Sequence, residues 1–175
     1  RVRAMVLRSL GTFGVKAVPP LMATLKDADP GVRSAGAEAL GAVGAAALPA
    51  LTRAAGGGDR HVRVGALDAL RRIGPAARAA AGVCAAALGD ADRAVRQAAA
   101  LALGRIGGPK AKTAAPLLIQ MLAAGPRDRR VAAARSLGGL GPHAGDAVPH
   151  LAKRLFDDDW RLRCAACDAS GRIGP

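Results

Sequence analysis

Apolar positions along this chain recur on two nested periods. Six segments align without internal gaps: "VRAMVLRSLGTFG" from Val2, "VRSAGAEALGAVG" from Val32, "VRVGALDALRRIG" from Val62, "VRQAAALALGRIG" from Val95, "RRVAAARSLGGLG" from Arg129 and "LRCAACDASGRIG" from Leu162. Their starts lie 30, 30, 33, 34 and 33 residues apart. Within each segment, small or apolar residues fall at offsets 0, 3, 7, 8 and 11, as in Val32, Ala35, Ala39, Leu40 and Val43. Those offsets share one face of a helix, so each segment reads as an amphipathic helix. Between them run shorter apolar stretches such as "AVPPLMATLKDAD" and "AAPLLIQMLAAGP", with Leu pairs four apart (Leu21/Leu25, Leu118/Leu122, Leu151/Leu155). Pro19, Pro49, Pro116 and Pro149 stand near the start of these second helices. A fixed period of this length marks a repeat architecture of helix pairs.

The boundaries carry their own signals. Asp29, Asp59, Asp92 and Asp159 each precede the "VR" position by three residues. From there a carboxylate can accept hydrogen bonds from the free N–H groups of a helix start and meet its positive end. Pro30 follows Asp29 where a missing N–H costs nothing. Each long segment stops at a glycine able to adopt the left-handed conformation, often followed by proline (Pro75, Pro142, Pro175). Each Asp also lies four residues before an arginine: Asp29–Arg33, Asp59–Arg63, Asp92–Arg96 and Asp159–Arg163. That spacing predicts intrahelical ion pairs, stacked from repeat to repeat into a structural ladder. The fifth unit lacks this Asp: Pro126 takes its place and Arg129 replaces the Val, so Asp128 is expected to cap one turn later.

"LKDADPGVRSAGAEALGAVG" and "LGDADRAVRQAAALALGRIG" resemble the HEAT repeats of the bacterial phycobilisome-lyase-like type, whose pattern is an "AVPxLxxxLxD" helix followed by "DxDxxVRxxAxxALGxIG". The resemblance spans essentially the whole chain. It implies an all-α, right-handed α-solenoid, armadillo- or HEAT-like, of about eleven antiparallel-paired helices, with the "VR" helices lining the concave side. Repeat units fall at about 1–14, 15–44, 45–74, 75–107, 108–141 and 142–175. One helix pair cannot bury its apolar face alone, so neighbours complete the core. A start at Arg1 and apolar faces at both ends predict one solenoid cut from a longer array.

Composition narrows the function. Hydrophobic residues make up 51% of 175, yet there are only two Phe, one Trp and no Tyr, so the core is built from Ala, Leu, Val and Ile. Glycine (23) and proline (11) are spread at repeat spacing rather than gathered in a phosphate-binding loop. His61, His143 and His150 share no ligand spacing, and no Ser–His–Asp or paired-carboxylate set recurs on one predicted face. The acidic run Asp157, Asp158, Asp159 is explained by the repeat. No metal site, cofactor or enzymatic activity is therefore expected. A lyase subunit is suggested by family analogy alone. A HEAT-like DNA glycosylase would need groove aromatics beside a carboxylate, and Trp160 is the one large aromatic so placed. Three cysteines form no disulfide framework; no membrane-spanning run and no signal peptide are evident, which points to a cytoplasmic protein without membrane insertion.

With offsets 0, 3, 7, 8 and 11 inward, offsets 2, 5, 6, 9 and 10 form the free face. It carries Leu7, Val64, Leu67, Gln97, Leu101, Arg135, Cys164 and Cys167, with Leu7, Leu67 and Leu101 as the expected anchors for a protein or peptide partner. Cys84 aligns with Leu21, Leu51, Leu118 and Leu151 and is expected in the core. The second reading rests on charge. Twenty-six basic against 13 acidic residues give a net +13, and Arg60, Arg93 and Arg127 recur on the inter-helix turns, about 10 Å apart if the helices pack normally. Such a basic edge could follow a nucleic-acid backbone or an acidic protein. Further arginines (Arg71, Arg72, Arg105, Arg172) stand at helix C-termini, where the dipole favours them.

Overall fold

A computed structural model describes residues 11–174. Among them ten α-helices alternate short and long, with no strand. The short helices are α1 (Val18–Thr24), α3 (Leu48–Ala55), α5 (Ala81–Ala86), α7 (Ala115–Ala124) and α9 (Val148–Ala152). The long ones are α2 (Pro30–Val43), α4 (Arg60–Ile73), α6 (Arg93–Ile106), α8 (Arg127–Leu140) and α10 (Trp160–Ile173), each 14 residues. The helix predicted from Val2 falls almost wholly outside the described residues.

Local chemistry sets the boundaries much as the pattern requires. Asp29, Asp59, Asp92 and Asp159 are the N-caps of α2, α4, α6 and α10, accepting from the backbone N–H of Gly31, His61, Ala94 and Arg161 at 2.7–3.1 Å. The Asp two residues earlier braces the turn: Asp27, Asp90 and Asp157 accept from the N–H of Asp29, Asp92 and Asp159 at 2.9, 2.8 and 3.1 Å. At the other end Gly44 (φ 73°, ψ −137°) and Gly107 (φ 72°, ψ −166°) turn the chain back. The φ is positive as expected, but the ψ lies in an extended region that glycine alone tolerates, not in the left-handed helical one. Residues 30–55 are long and apolar enough to cross a membrane, yet Gly44 breaks them into two helices of the solenoid.

Two expectations are corrected here. Helix α8 does not start a turn late; it begins at Arg127 like its counterparts, with Pro126 as an N-cap that has no side-chain oxygen to offer. Asp128 sits in the first turn with its side chain 91% exposed and caps nothing. The arginines four residues after each cap do not pair with it either. Arg33, Arg96 and Arg163 turn Nη1 back onto the carbonyl oxygens of the preceding turn: Asp27 and Ala28, Asp90 and Ala91, Asp157 and Asp158. Arg63 does the same to Gly58. Oδ1 of each cap takes the backbone N–H groups, and the guanidinium instead takes the carbonyls of the tight turn.

The long helices pack neighbour on neighbour from α2 to α10, while α3 meets α5, and α7 meets α9, over far less of their length. The long helices thus form the more closely packed row of a right-handed solenoid. Its core is continuous through the described residues: Leu21, Leu40, Leu51, Leu70, Leu103, Leu118, Leu137, Leu151 and an alanine framework, all buried. Small side chains let the long helices approach closely. At Gly104 a Cβ would lie 2.8 Å from Ser136 Cα, and at Gly138 2.9 Å from Ala169 Cα.

Candidate functional site: groove and ladder of the long helices

The concave face is decided by which offsets the next helix covers. Offsets 2, 5 and 9 share a stripe, and offset 9 (Gly41, Gly104, Gly138) presses on the following long helix. Offset 5 is therefore closed: Ala37, Leu67, Ala100 and Ala134 are buried. Leu67, expected as a binding anchor, is fully buried and belongs to the core. Gln97 is also buried, and its side-chain oxygen accepts from Arg129 on α8. Leu7 lies outside the described residues. Cys164 and Cys167 are exposed, because among the described residues no long helix follows α10; Gly171, at the offset that is crowded elsewhere, has nothing within 4 Å. Cys84 is in the core, and burial pushes its thiol up to about 12.

What remains open is a groove across the row. Val64 is half-buried and lines a cavity of about 300 Å³ between α2 and α4, with Ser34, Ala37, His61 and Asp68. A larger one, about 510 Å³, is lined by Arg71, Leu101, Arg105, Val131, Arg135 and Arg161, and so spans α4 to α10. A third, about 250 Å³, adjoins it and is lined by Arg105, Arg135, Asp168 and Arg172. Arg71 is held by Asp68 at 2.9 Å and Arg161 lies 3.9 Å from Asp128. Arg105, Arg135 and Arg172 form no ion pair or hydrogen bond among the described residues. Of the residues expected on this face, the fold thus brings Leu101 and Arg135 together.

The basic edge is mostly neutralised. Arg60 Nε lies 3.4 Å from Asp92 Oδ2, and Arg127 Nε 3.4 Å from Asp159 Oδ2, so each reaches the cap of the next long helix. Beside them run Arg63–Asp90 (3.0 Å) and Arg130–Asp157 (2.9 Å). A ladder exists, but it joins repeats to each other, and Arg130, Asp90 and Asp157 were not among the residues expected to form it. Among the described residues, Arg93 alone of the three turn arginines has no partner. Backbone N–H donation to the carboxylates, from His61, Ala94 and Asp159 respectively, holds Asp59, Asp92 and Asp157 below their ordinary value, with the arginines adding to the effect.

No group of His, Cys, Asp and Glu suited to a metal occurs among the described residues. Trp160 is exposed at the start of α10, and Asp159 beside it is buried and engaged as a cap; no Phe, Trp or Tyr lines the groove cavities among the described residues.

The sequence profile of HEAT repeats matches residues 1–71, 51–138 and 114–175. Among solved structures, an engineered protein is similar over 97% of this chain and 88% of its own, with 22% identity and a TM-score of 0.65. A designed armadillo repeat protein in complex with the peptide (KR)4 is similar over 98% and 91%, with 16% identity and a TM-score of 0.64. The complex of CpcE and CpcF of phycocyanin lyase from Nostoc sp. PCC7120 is 30% identical over 87% of this chain, with a TM-score of 0.59. This chain spans 63% of the length of that relative. Among curated proteins, none matches in sequence.

Proposed function

Because the chain belongs to the HEAT-repeat family, we propose that it is a non-catalytic scaffold that holds a protein or peptide against the concave row of long helices. One observation carries this: Leu101, half-buried, stands beside unpaired Arg105 and Arg135 in an open groove that four long helices build together. Guanidinium groups without internal partners, next to an apolar wall, suit a partner that brings carboxylates and apolar side chains. The fold likeness to a designed protein holding a peptide, and to a lyase whose two subunits form a complex, supports the reading.

The test compares the wild-type chain with the double variant Leu101→Glu/Arg135→Glu in capture of its partner. Arg135 is exposed and Leu101 is half-buried at the edge of the core, so capture should be lost in a variant whose helicity, checked by circular dichroism, matches the wild type. Equal capture by the variant would overturn the groove reading.

A second reading, binding of a nucleic-acid backbone, draws on the net charge of +13. With Arg60 and Arg127 paired, it depends on the groove arginines and Arg93. Backbone binding of this kind weakens steeply with salt. A mobility shift at low salt that disappears near physiological salt would favour it, and the absence of any shift at low salt would exclude it.

A further inference from the structure

The joints between successive long helices provide an internal comparison. At α4/α6, Arg60 and Arg63 face Asp92 and Asp90 at 3.4 and 3.0 Å. At α8/α10, Arg127 and Arg130 face Asp159 and Asp157 at 3.4 and 2.9 Å. The middle joint, α6/α8, has both arginines, Arg93 and Arg96, and neither carboxylate. Ala124 and Pro126 stand where the two aspartates belong in the repeat.

The consequence is visible in the structure. Arg96 spends Nη1 on the carbonyl oxygens of Asp90 and Ala91, at 2.7 and 2.8 Å. Its remaining nitrogens have no acceptor among the described residues, whereas the equivalent edge of Arg63 holds Asp90. Arg93 has no partner at all among them. Instead of a carboxylate there is a cavity of about 310 Å³, lined by Arg93, Arg96, Gln120, Met121, Ala124 and Gly125.

We infer that this cavity is a docking site for a carboxylate side chain of an acidic peptide segment, which completes the missing rung from outside. The two neighbouring joints show what such a pair of arginines binds in this fold, and at what distance. Met121 gives an apolar wall for the methylenes of a glutamate, and Gln120 a further polar group at the rim. A polyanion fits less well. The flanking turn arginines, Arg60 and Arg127, are already neutralised. The site therefore offers two adjacent positive charges rather than a track. It lies on the turn edge of the solenoid, so it stands whether or not the concave groove takes a partner.

The test measures fluorescence anisotropy of a fluorescein-labelled hexaglutamate peptide with the full chain at low ionic strength. Arg93→Gln/Arg96→Gln should weaken binding by about tenfold, the scale of a lost charge-assisted pair. Ala124→Asp supplies the carboxylate from within, as Asp90 and Asp157 do at the other joints. It should weaken peptide binding to a similar extent while leaving the unfolding temperature equal or higher. Arg105→Gln/Arg135→Gln, in the groove, should leave this affinity unchanged. Unaltered affinity in Ala124→Asp, or loss only in the groove variant, would overturn the inference. So would a labelled hexathymidine that binds more tightly than the peptide and is displaced by Ala124→Asp, since that would make the site one for phosphates.

Discussion

At the turn, the α4/α6 and α8/α10 joints share two equivalent ion pairs, with Arg161–Asp128 added at α8/α10, and the α6/α8 joint has none at those positions. All three nonetheless bring the long helices into direct contact, least extensively at α6/α8. At α6/α8 the work passes to backbone proximity and one side-chain bond. Gly104 and Gly139 meet so closely that a Cβ on Gly139 would fall on the Gly104 carbonyl oxygen, Gly104 abuts Ser136, and Arg129 donates to Gln97. Close packing of small residues sets the stacking geometry, while the charges refine it, as the small net value of partly exposed ion pairs would suggest.

The largest effect is expected where packing alone holds the joint. Gly104→Ala puts a methyl group against Ser136. Helix propensity would gain something less than about 1 kcal/mol, but overpacking should cost about 1–3 kcal/mol, seen as a lower urea midpoint. A stabilised variant would show that the α6/α8 contact has slack. Next come the caps. Asp92→Ala and Asp159→Ala should each lose about 1 kcal/mol, with Asp159 at the upper end because it is buried and also faces Arg127. An unchanged denaturation midpoint in both would refute the capping role. A smaller difference should separate Arg63→Gln from Arg96→Gln. Both lose bonds to carbonyls of the preceding turn, but only the first also breaks a pair across its joint, to Asp90, so its loss should exceed the other's by under about 1 kcal/mol. Equal losses would mean the carbonyl bonds, not the ladder, matter.

The weakest handle is acid. Asp59, Asp92 and Asp157 have lowered pKa values, so their stabilisation is present in full above the ordinary 3.8 and is lost as pH falls through the lowered values. Helicity followed by circular dichroism should hold to about pH 4 and decline below it. The decline should flatten in Asp92→Ala/Asp157→Ala. An acid transition that is identical in that variant would assign the loss to other carboxylates.

Much of the fold was legible because its determinants are local. Asp29, Asp59, Asp92 and Asp159 cap where the spacing placed them, Gly44 and Gly107 stop their helices with positive φ, and Cys84 is in the core with the leucines it aligns with. The candidate site was harder to read. The alternation within one helix shows only the face turned to its own pair. It is silent about the flank that the next repeat will cover, and so Leu67 and Gln97, expected on the open face, are buried, while Leu101 and Arg135 line a cavity.

The ladder makes the same point with charge. Asp59 and Arg63 are four residues apart and look like partners, yet the Arg63 guanidinium finds Asp90, 27 residues on, at 3.0 Å. Its neighbour Arg60 finds Asp92. Only the stacked structure brings those groups together, because the cap's Oδ1 takes the backbone N–H groups while the next repeat places a second carboxylate within reach of the arginine. By itself the sequence determined the helices, their ends and their order, since turns, caps and apolar period act within a few residues. The tertiary structure decided which flank is buried, which charges meet and where a rung is missing, since each depends on a neighbour some thirty residues away.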